Sequence, residues 1–276
     1  MSIDTSRDTI TVNDVVYDVE REATDLGYNL TIEEFPGLEG YVGMEEHDMD
    51  LHNPREWSNV GTMAVSYGRY NLGDEDISKI DFTVTCPECE GSGEKPMNQF
   101  DKPEQTPPMT MPEIENCPKC DGIGEIDIDP VTYFKKERGA RVVIGLTVYE
   151  HSGITMYAGN VTVPFDTDRW DTSFVGFIYD TPEKVKECIG DNATDEQIEA
   201  ALRQEVKNYA SYLEGDISWY SVNDDETGYT DACGGYVGDT DHCESECFTS
   251  MEAAIVKRLA EIEERAHWAS RDTITT

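Results

Sequence analysis

Four of the eight cysteines stand in two near-copies of one motif, and they are the residues best suited to chemistry. Cys86-Pro87-Glu88-Cys89-Glu90-Gly91-Ser92-Gly93 and Cys117-Pro118-Lys119-Cys120-Asp121-Gly122-Ile123-Gly124 both read C-P-x-C-acidic-G-x-G. A C-x-x-C turn presents two sulfurs to one ion. Two such turns complete a closed tetrahedral zinc site with Zn–S bonds of about 2.3 Å. The glycines two and four places after the second cysteine admit positive φ, and N–H groups in such a turn soften thiolate charge. Cys86, Cys89, Cys117 and Cys120 are therefore the expected ligands of one structural Zn2+. Four thiolates leave no open position, which argues against catalysis at this ion.

Other chemically capable groups are more scattered. Cys233, Cys243 and Cys247, with His242, are the right types for a second zinc site, but C-x9-C and C-x3-C lack the tight turn. Free thiols are the simpler reading. Cys188 falls on an expected helix and is expected to pack. Cys233, His151 and Asp171 have the types of a nucleophile, a base and an orienting carboxylate. A Cys-His hydrolase or transferase requires that they meet in the fold.

The elements that must position these residues follow from periodicity. Residues 1–12 are polar and expected to be loose, and 13–50 read as strands and turns. Gly61–Tyr67 and Val142–Tyr149 read as buried strands, with Val161–Phe165 and Ser173–Tyr179 as further strands. Thr181-Pro182 reads as an N-cap with proline at the first helical position. Thr194-Asp195-Glu196-Gln197 is a capping box that opens a helix with Ile198, Leu202, Val206, Tyr209 and Leu213 on one face and Gly215 as its stop. Ile217–Val222 and Tyr229–Tyr236 form an expected hairpin, and Thr249-Ser250-Met251-Glu252 is expected to open a last helix. Strands precede helices without βαβ alternation. The expected class is α+β: a mixed or antiparallel sheet, two or three helices in the C-terminal half, and an inserted zinc knuckle module. The expected division is 1–85 and 126–276 as parts of one discontinuous body, interrupted by a module at 86–125. Five prolines between the knuckles predict a poorly ordered excursion there. Arg7-Asp8-Thr9-Ile10-Thr11 recurs as Arg271-Asp272-Thr273-Ile274-Thr275, too short to be a structural repeat.

Charge sets the solvent and the partners. The 276 residues include 58 Asp and Glu against 21 Lys and Arg, a formal charge of −37 spread along the chain. Such a chain repels itself in dilute buffer, whereas at molar salt a Debye length of about 3 Å screens the repulsion. This is the composition of proteins from salt-in halophiles, the haloarchaea and their viruses. A DNA mimic that inhibits host defence is the alternative, and it requires acids in rows on one face. Within 86–125 three lysines face nine acids, the wrong sign for nucleic acid, so a protein partner is expected. The run Lys135-Lys136-Glu137-Arg138 reads as a solvated turn. No secretory or membrane-spanning run is visible, which predicts a cytoplasmic protein.

Two resemblances add to this reading. Both knuckles resemble the C-x-x-C-x-G-x-G repeat of the cysteine-rich domain of DnaJ-type chaperones. That family carries four repeats and two zinc ions, so two repeats imply one ion. No J-domain signature accompanies them. Outside the knuckles the chain resembles a group of uncharacterised proteins of tailed phages and mobile elements. The matching residues are Asn53–Met63, Tyr70–Asp74, His151–Ile154, Trp170-Asp171 and Val175–Tyr179, then Glu205-Val206, Tyr209, Tyr212, Gly215-Asp216 and Cys233–Tyr236. The chain departs from that group at Ser58, where an acid is usual, and at Gly234, where an aromatic is usual. This resemblance implies a viral or mobile-element origin and carries no catalytic roles. Together these features predict a zinc-binding, non-enzymatic accessory or protein-binding protein of a haloarchaeal virus or its host.

Overall fold

The computed structural model describes residues 8–45, 52–68, 70–96, 114–161, 166 and 168–272. They form an α+β protein built on antiparallel sheets. The chain divides into two compact units, one of residues 1–57, 149–156 and 206–276, the other of 58–148 and 157–205. No helix among the described residues is long and apolar enough to cross a membrane.

The first unit holds a six-stranded sheet in the order β1-β2-β3-β4-β13-β14. Its strands are β1 (Asp8–Val12), β2 (Val15–Ala23), β3 (Gly27–Thr31), β4 (Leu38–Met44), β13 (Ile217–Asp224) and β14 (Tyr229–Val237). Residues 8–12 are thus a strand and not loose. Ile10 and Val12 alternate into the core, and Asn13 and Asp14, both at positive φ, form the two-residue turn that pairs β1 with β2.

Helix α4 (Thr240–Asp272) packs on this sheet. Cys243, Cys247, Met251, Ala254 and Ile255 recur at helical spacing and are buried with Leu30, Val42 and Val222. The helix begins nine residues before the Thr249 box. Asp239 Oδ1 accepts from the His242 N–H at 3.2 Å and caps it there, while Thr249 Oγ1 donates to Ser245 O in mid-helix. The two thiols continue the apolar stripe upstream, which carries the helix past the later box. Arg271 and Asp272 end this helix, whereas Asp8 to Thr11 of the same pentapeptide lie in β1, so tertiary context decides that local structure.

A four-stranded sheet runs β11-β10-β12-β5, with β5 (Gly61–Val65), β10 (Val143–Glu150), β11 (Ile154–Ala158) and β12 (Thr172–Asp180); most of it belongs to the second unit, and its residues 149, 150 and 154–156 to the first. Residues 162–165 of the expected Val161–Phe165 strand lie outside the described residues. Helix α1 (Pro130–Glu137) was not anticipated, although Asp129-Pro130 repeats the cap-then-proline logic of Thr181-Pro182. Asp129 Oδ1 accepts from the Thr132 N–H at 2.9 Å. The basic run at 135–138 is exposed to solvent, as expected, but as the last turn and C-cap of a helix, where cations suit the dipole. Phe134 of α1 stacks on Tyr179 with ring centroids 4.2 Å apart, in a core with Ala64 and Ala140.

Helix α2 (Pro182–Cys188) is capped by Thr181 as expected. Helix α3 (Asp195–Glu214) opens on the Thr194 box. The Thr194 N–H donates to Gln197 Oε1, and the Gln197 N–H donates to Thr194 Oγ1. It ends at Gly215, whose φ is +75°.

Candidate metal centre

Two short ribbons carry the knuckles. Strand β6 (Thr83–Thr85) pairs with β9 (Glu125–Asp127), and β7 (Glu94–Pro96) pairs with β8 (Ile114–Asn116). The first knuckle joins β6 to β7 and the second joins β8 to β9. The expected proline-rich excursion spans the 27 residues between the knuckles. Against that expectation its two ends, Glu94–Pro96 and Ile114–Asn116, are paired as a two-stranded ribbon in which Pro96 sits at a strand end, and residues 97–113 lie outside the described residues. The Cys86 N–H donates to Gly124 O, and the Cys117 N–H donates to Gly93 O, both at 2.8 Å, so each knuckle is tied to the end of the other.

The four sulfurs meet. Cys86, Cys89, Cys117 and Cys120 are all buried and their Sγ atoms lie within 4.8 Å of one another. Among the described residues this is the one group of three or more such side chains gathered closely enough to share an ion. Cys86 and Cys117 Sγ are 3.9 Å apart, and Cys89 and Cys120 Sγ are 3.7 Å apart. An ion bonded tetrahedrally to four sulfurs at about 2.3 Å separates them by about 3.8 Å. A disulfide needs about 2.05 Å. The two cross-knuckle pairs thus stand at the spacing of one tetrahedral ion, with all four sulfurs gathered around it.

Backbone amides complete the cradle. The Gly93 N–H donates to Cys89 Sγ at 3.3 Å, and the Gly124 N–H donates to Cys120 Sγ at 3.2 Å. The Cys89 thiol is brought down to about 7: burial opposes ionisation, but the Gly93 N–H and the Cys120 thiol outweigh it. Cys120 is pushed up to about 11 by burial, against the Gly124 N–H and with the neighbouring Cys89 and Cys117 sulfurs adding to the rise. Of these two thiols Cys89 ionises more readily, and Cys120 is the one whose deprotonation an ion's charge would favour most. Lys95 and Lys119 both reach Glu88 of the first knuckle.

The glycines do more than permit positive φ. A Cβ on Gly124 would lie 2.5 Å from Gly91 O, and one on Gly93 would overlap Gly122 O. The last glycine of each knuckle therefore touches the other knuckle's backbone. Gly124→Ala is expected to spread the sulfur pairs and weaken ion binding about 10- to 100-fold, as loss of a ligand-orienting contact does. Competition with a chromophoric chelator measures this. Unchanged affinity would show that the close approach is dispensable.

No protein-family model matches the chain, and no curated protein or solved structure matches it significantly. The site must therefore be read from its own geometry.

The second set of candidate ligands does not assemble. Cys243 and Cys247, four residues apart, are buried on the inward face of α4, Cys233 is exposed on β14, and the His242 ring packs edge-on to Tyr236. Burial pushes the Cys247 thiol up to about 12, so it serves as an apolar side chain. Cys188 ends α2 exposed and does not pack.

The candidate catalytic residues are distributed over both units. Cys233, whose Sγ faces Gly234 O, and His151, whose ring stacks on Tyr149, belong to the first unit, while Asp171 belongs to the second. The Asp171 N–H donates to Asp166, a buried carboxylate that also accepts from the Trp170 N–H and the Thr172 hydroxyl.

Several polar residues outside the knuckles hold backbone in place. Asn53 caps the turn at Pro54–Glu56, Glu205 accepts from the Val60 and Gly61 N–H groups, and Asp74 accepts from the Met63 N–H at 2.7 Å. Sequence reading missed Glu45 and His52, whose side chains pair at 3.0 Å. No local spacing signals that pair.

Proposed function

We propose that the cysteine cluster holds one zinc ion as a closed structural site, in a non-enzymatic protein-binding accessory protein of a haloarchaeal virus or its host. The observation that carries the metal assignment is the burial of four sulfurs within 4.8 Å of one another, two pairs of them at tetrahedral spacing, with knuckle amides on two of the sulfurs. A soft S4 set suits zinc, which needs neither a redox partner nor an open position for a structural task. The partner is a protein because the module carries an acidic excess while presenting exposed apolar side chains at Ile114 and Ile123.

Surface acidity supports the halophilic origin. Among the described residues the buried carboxylates are Asp166, Asp180 and Asp224, and each accepts hydrogen bonds from named partners. The rest of the acidic excess among those residues meets solvent to some degree. The thermal midpoint is expected to climb from dilute buffer to molar KCl as repulsion is screened. A flat or falling dependence would contradict a salt-adapted protein.

Metal analysis and capture from a high-salt lysate, wild type beside the Cys86→Ser/Cys120→Ser variant, test the functional reading. Zinc at one ion per chain and a protein captured by the wild type alone support it. Iron in place of zinc would sink the metal assignment, and capture indifferent to the substitutions would sink the recognition role of the module.

A further inference from the structure

The first unit contains an open depression of about 340 Å³ lined by Glu45, Trp219 and the exposed Ala232, Cys233 and Gly234, outside the metal module. Its construction is specific. Ser218 pairs with Tyr236 and Tyr220 with Cys233, so Trp219 faces the two residues Gly234 and Gly235 across a β-bulge. The extra residue lies in β14, so two glycines without side chains stand opposite the indole-bearing residue. Trp219 leans on Tyr41 at 5.1 Å between ring centroids. A Cβ on Gly234 would overlap Glu45 Oε1, and one on Gly235 would lie 2.7 Å from His52 Nδ1. Both glycines are thus needed to seat the Glu45–His52 pair against the strand. Glu45 Oε2 is engaged by His52 Nε2, and Oε1 lies against the Gly234 backbone at the edge of the depression.

A carboxylate and an indole lining one depression suit an organic cation. The carboxylate accepts its N–H groups while the ring face attracts its charge. A neutral guest forgoes the charge attraction, and an anionic guest is repelled by the carboxylate. We infer that this depression binds a guanidinium or alkylammonium group, either on a free amine or on an arginine or lysine side chain of a partner. The field of a chain at −37 raises the local concentration of such cations.

Calorimetric titration of the full zinc-loaded chain with arginine amide, Gly-Arg-Gly amide and N-acetylated citrulline amide, which carries neither a guanidinium nor an ammonium, tests this in about 0.5 M salt to suppress diffuse attraction. Saturable one-to-one binding of the two arginine compounds and none of the acetylated citrulline amide is expected. Tighter binding of the tripeptide assigns a chain-borne side chain, and tighter binding of arginine amide a free amine. Glu45→Gln, which can keep a hydrogen bond to His52 and moves the net charge only from −37 to −36, is expected to weaken binding about tenfold or more. Trp219→Leu is expected to weaken it about fivefold. Thermal midpoints of both variants, matched to wild type, separate lost binding from lost folding. Acetylated citrulline amide binding equally well, no saturable binding, or a folded Glu45→Gln protein with wild-type affinity would overturn the proposal.

Discussion

Replacing Cys86 and Cys120 together by serine is expected to abolish ion binding and to unfold residues 83–96 and 114–127, while the six-stranded sheet and α4 keep their amide protection. The reason lies in what the module is made of. Its buried cluster consists of the four cysteines with Ile126 packed against them. Its two ribbons have three residues per strand, too few to persist alone. The binding free energy of a structural zinc, roughly 10–16 kcal/mol in small zinc-finger peptides, is therefore the main term holding the segment together. By contrast, the sheet of the first unit and α4 share a core of fifteen buried residues that includes none of the ligands. Hydrogen exchange with and without a chelator reads both regions in one experiment. Collapse of protection in β4, β13 and α4 would show that the ion supports the whole protein.

The second large effect lies in that core. Arg258 and Asp224 form a buried ion pair with side chains 3% and 0% exposed. Arg258 also donates to Pro36 O at 3.1 Å, and Asp224 accepts from the Thr227 hydroxyl at 2.7 Å and the Glu226 N–H at 3.1 Å. Arg258→Met strands the carboxylate and is expected to cost about 3–5 kcal/mol. That corresponds to a fall of roughly 10 °C in thermal midpoint at about 2–4 °C per kcal/mol. Changing both partners to apolar residues of similar volume is expected to recover much of the loss, because no charge is then left alone. A single variant as stable as wild type would show that the pair contributes nothing.

The same pair sets an acid limit. Burial opposes ionisation of Asp224, but the Arg258 guanidinium, then the Thr227 hydroxyl and the Glu226 N–H, hold its carboxyl below the usual range. A depressed folded value means the stabilisation is complete above the unfolded value of about 3.9 and is lost as pH falls through the folded value. Unfolding followed from pH 6 downward should therefore lose stability only below about pH 4, and the Arg258→Met variant should lose less over that interval.

Local signals in the chain were reliable where local chemistry decides. The C-x-x-C turns, the Thr194 box, the Thr181-Pro182 cap and the Gly215 stop all lie where their residues point. The hairpin of β13 and β14 follows equally from alternation. Failures arose where a longer-range term wins. Thr249 has the residues of a cap, yet Cys243 and Cys247 extend the buried stripe upstream and Asp239 caps α4 earlier. Residues 8–12 look polar, but alternate positions meet the core beneath α4. The glycines of the knuckles were read for their φ values, while their contact with the opposite knuckle emerges only once the two motifs are paired. The depression beside Glu45, which draws on β13, β14 and a residue just past β4, has no signature within any one stretch.

The central claim is a closed four-thiolate zinc centre, and X-ray absorption at the zinc edge of the purified full chain tests it most directly. One ion per chain with four sulfur neighbours at about 2.3 Å is the expected result. Three sulfurs with an oxygen or nitrogen ligand, or a chain carrying iron or no ion at all, would contradict it.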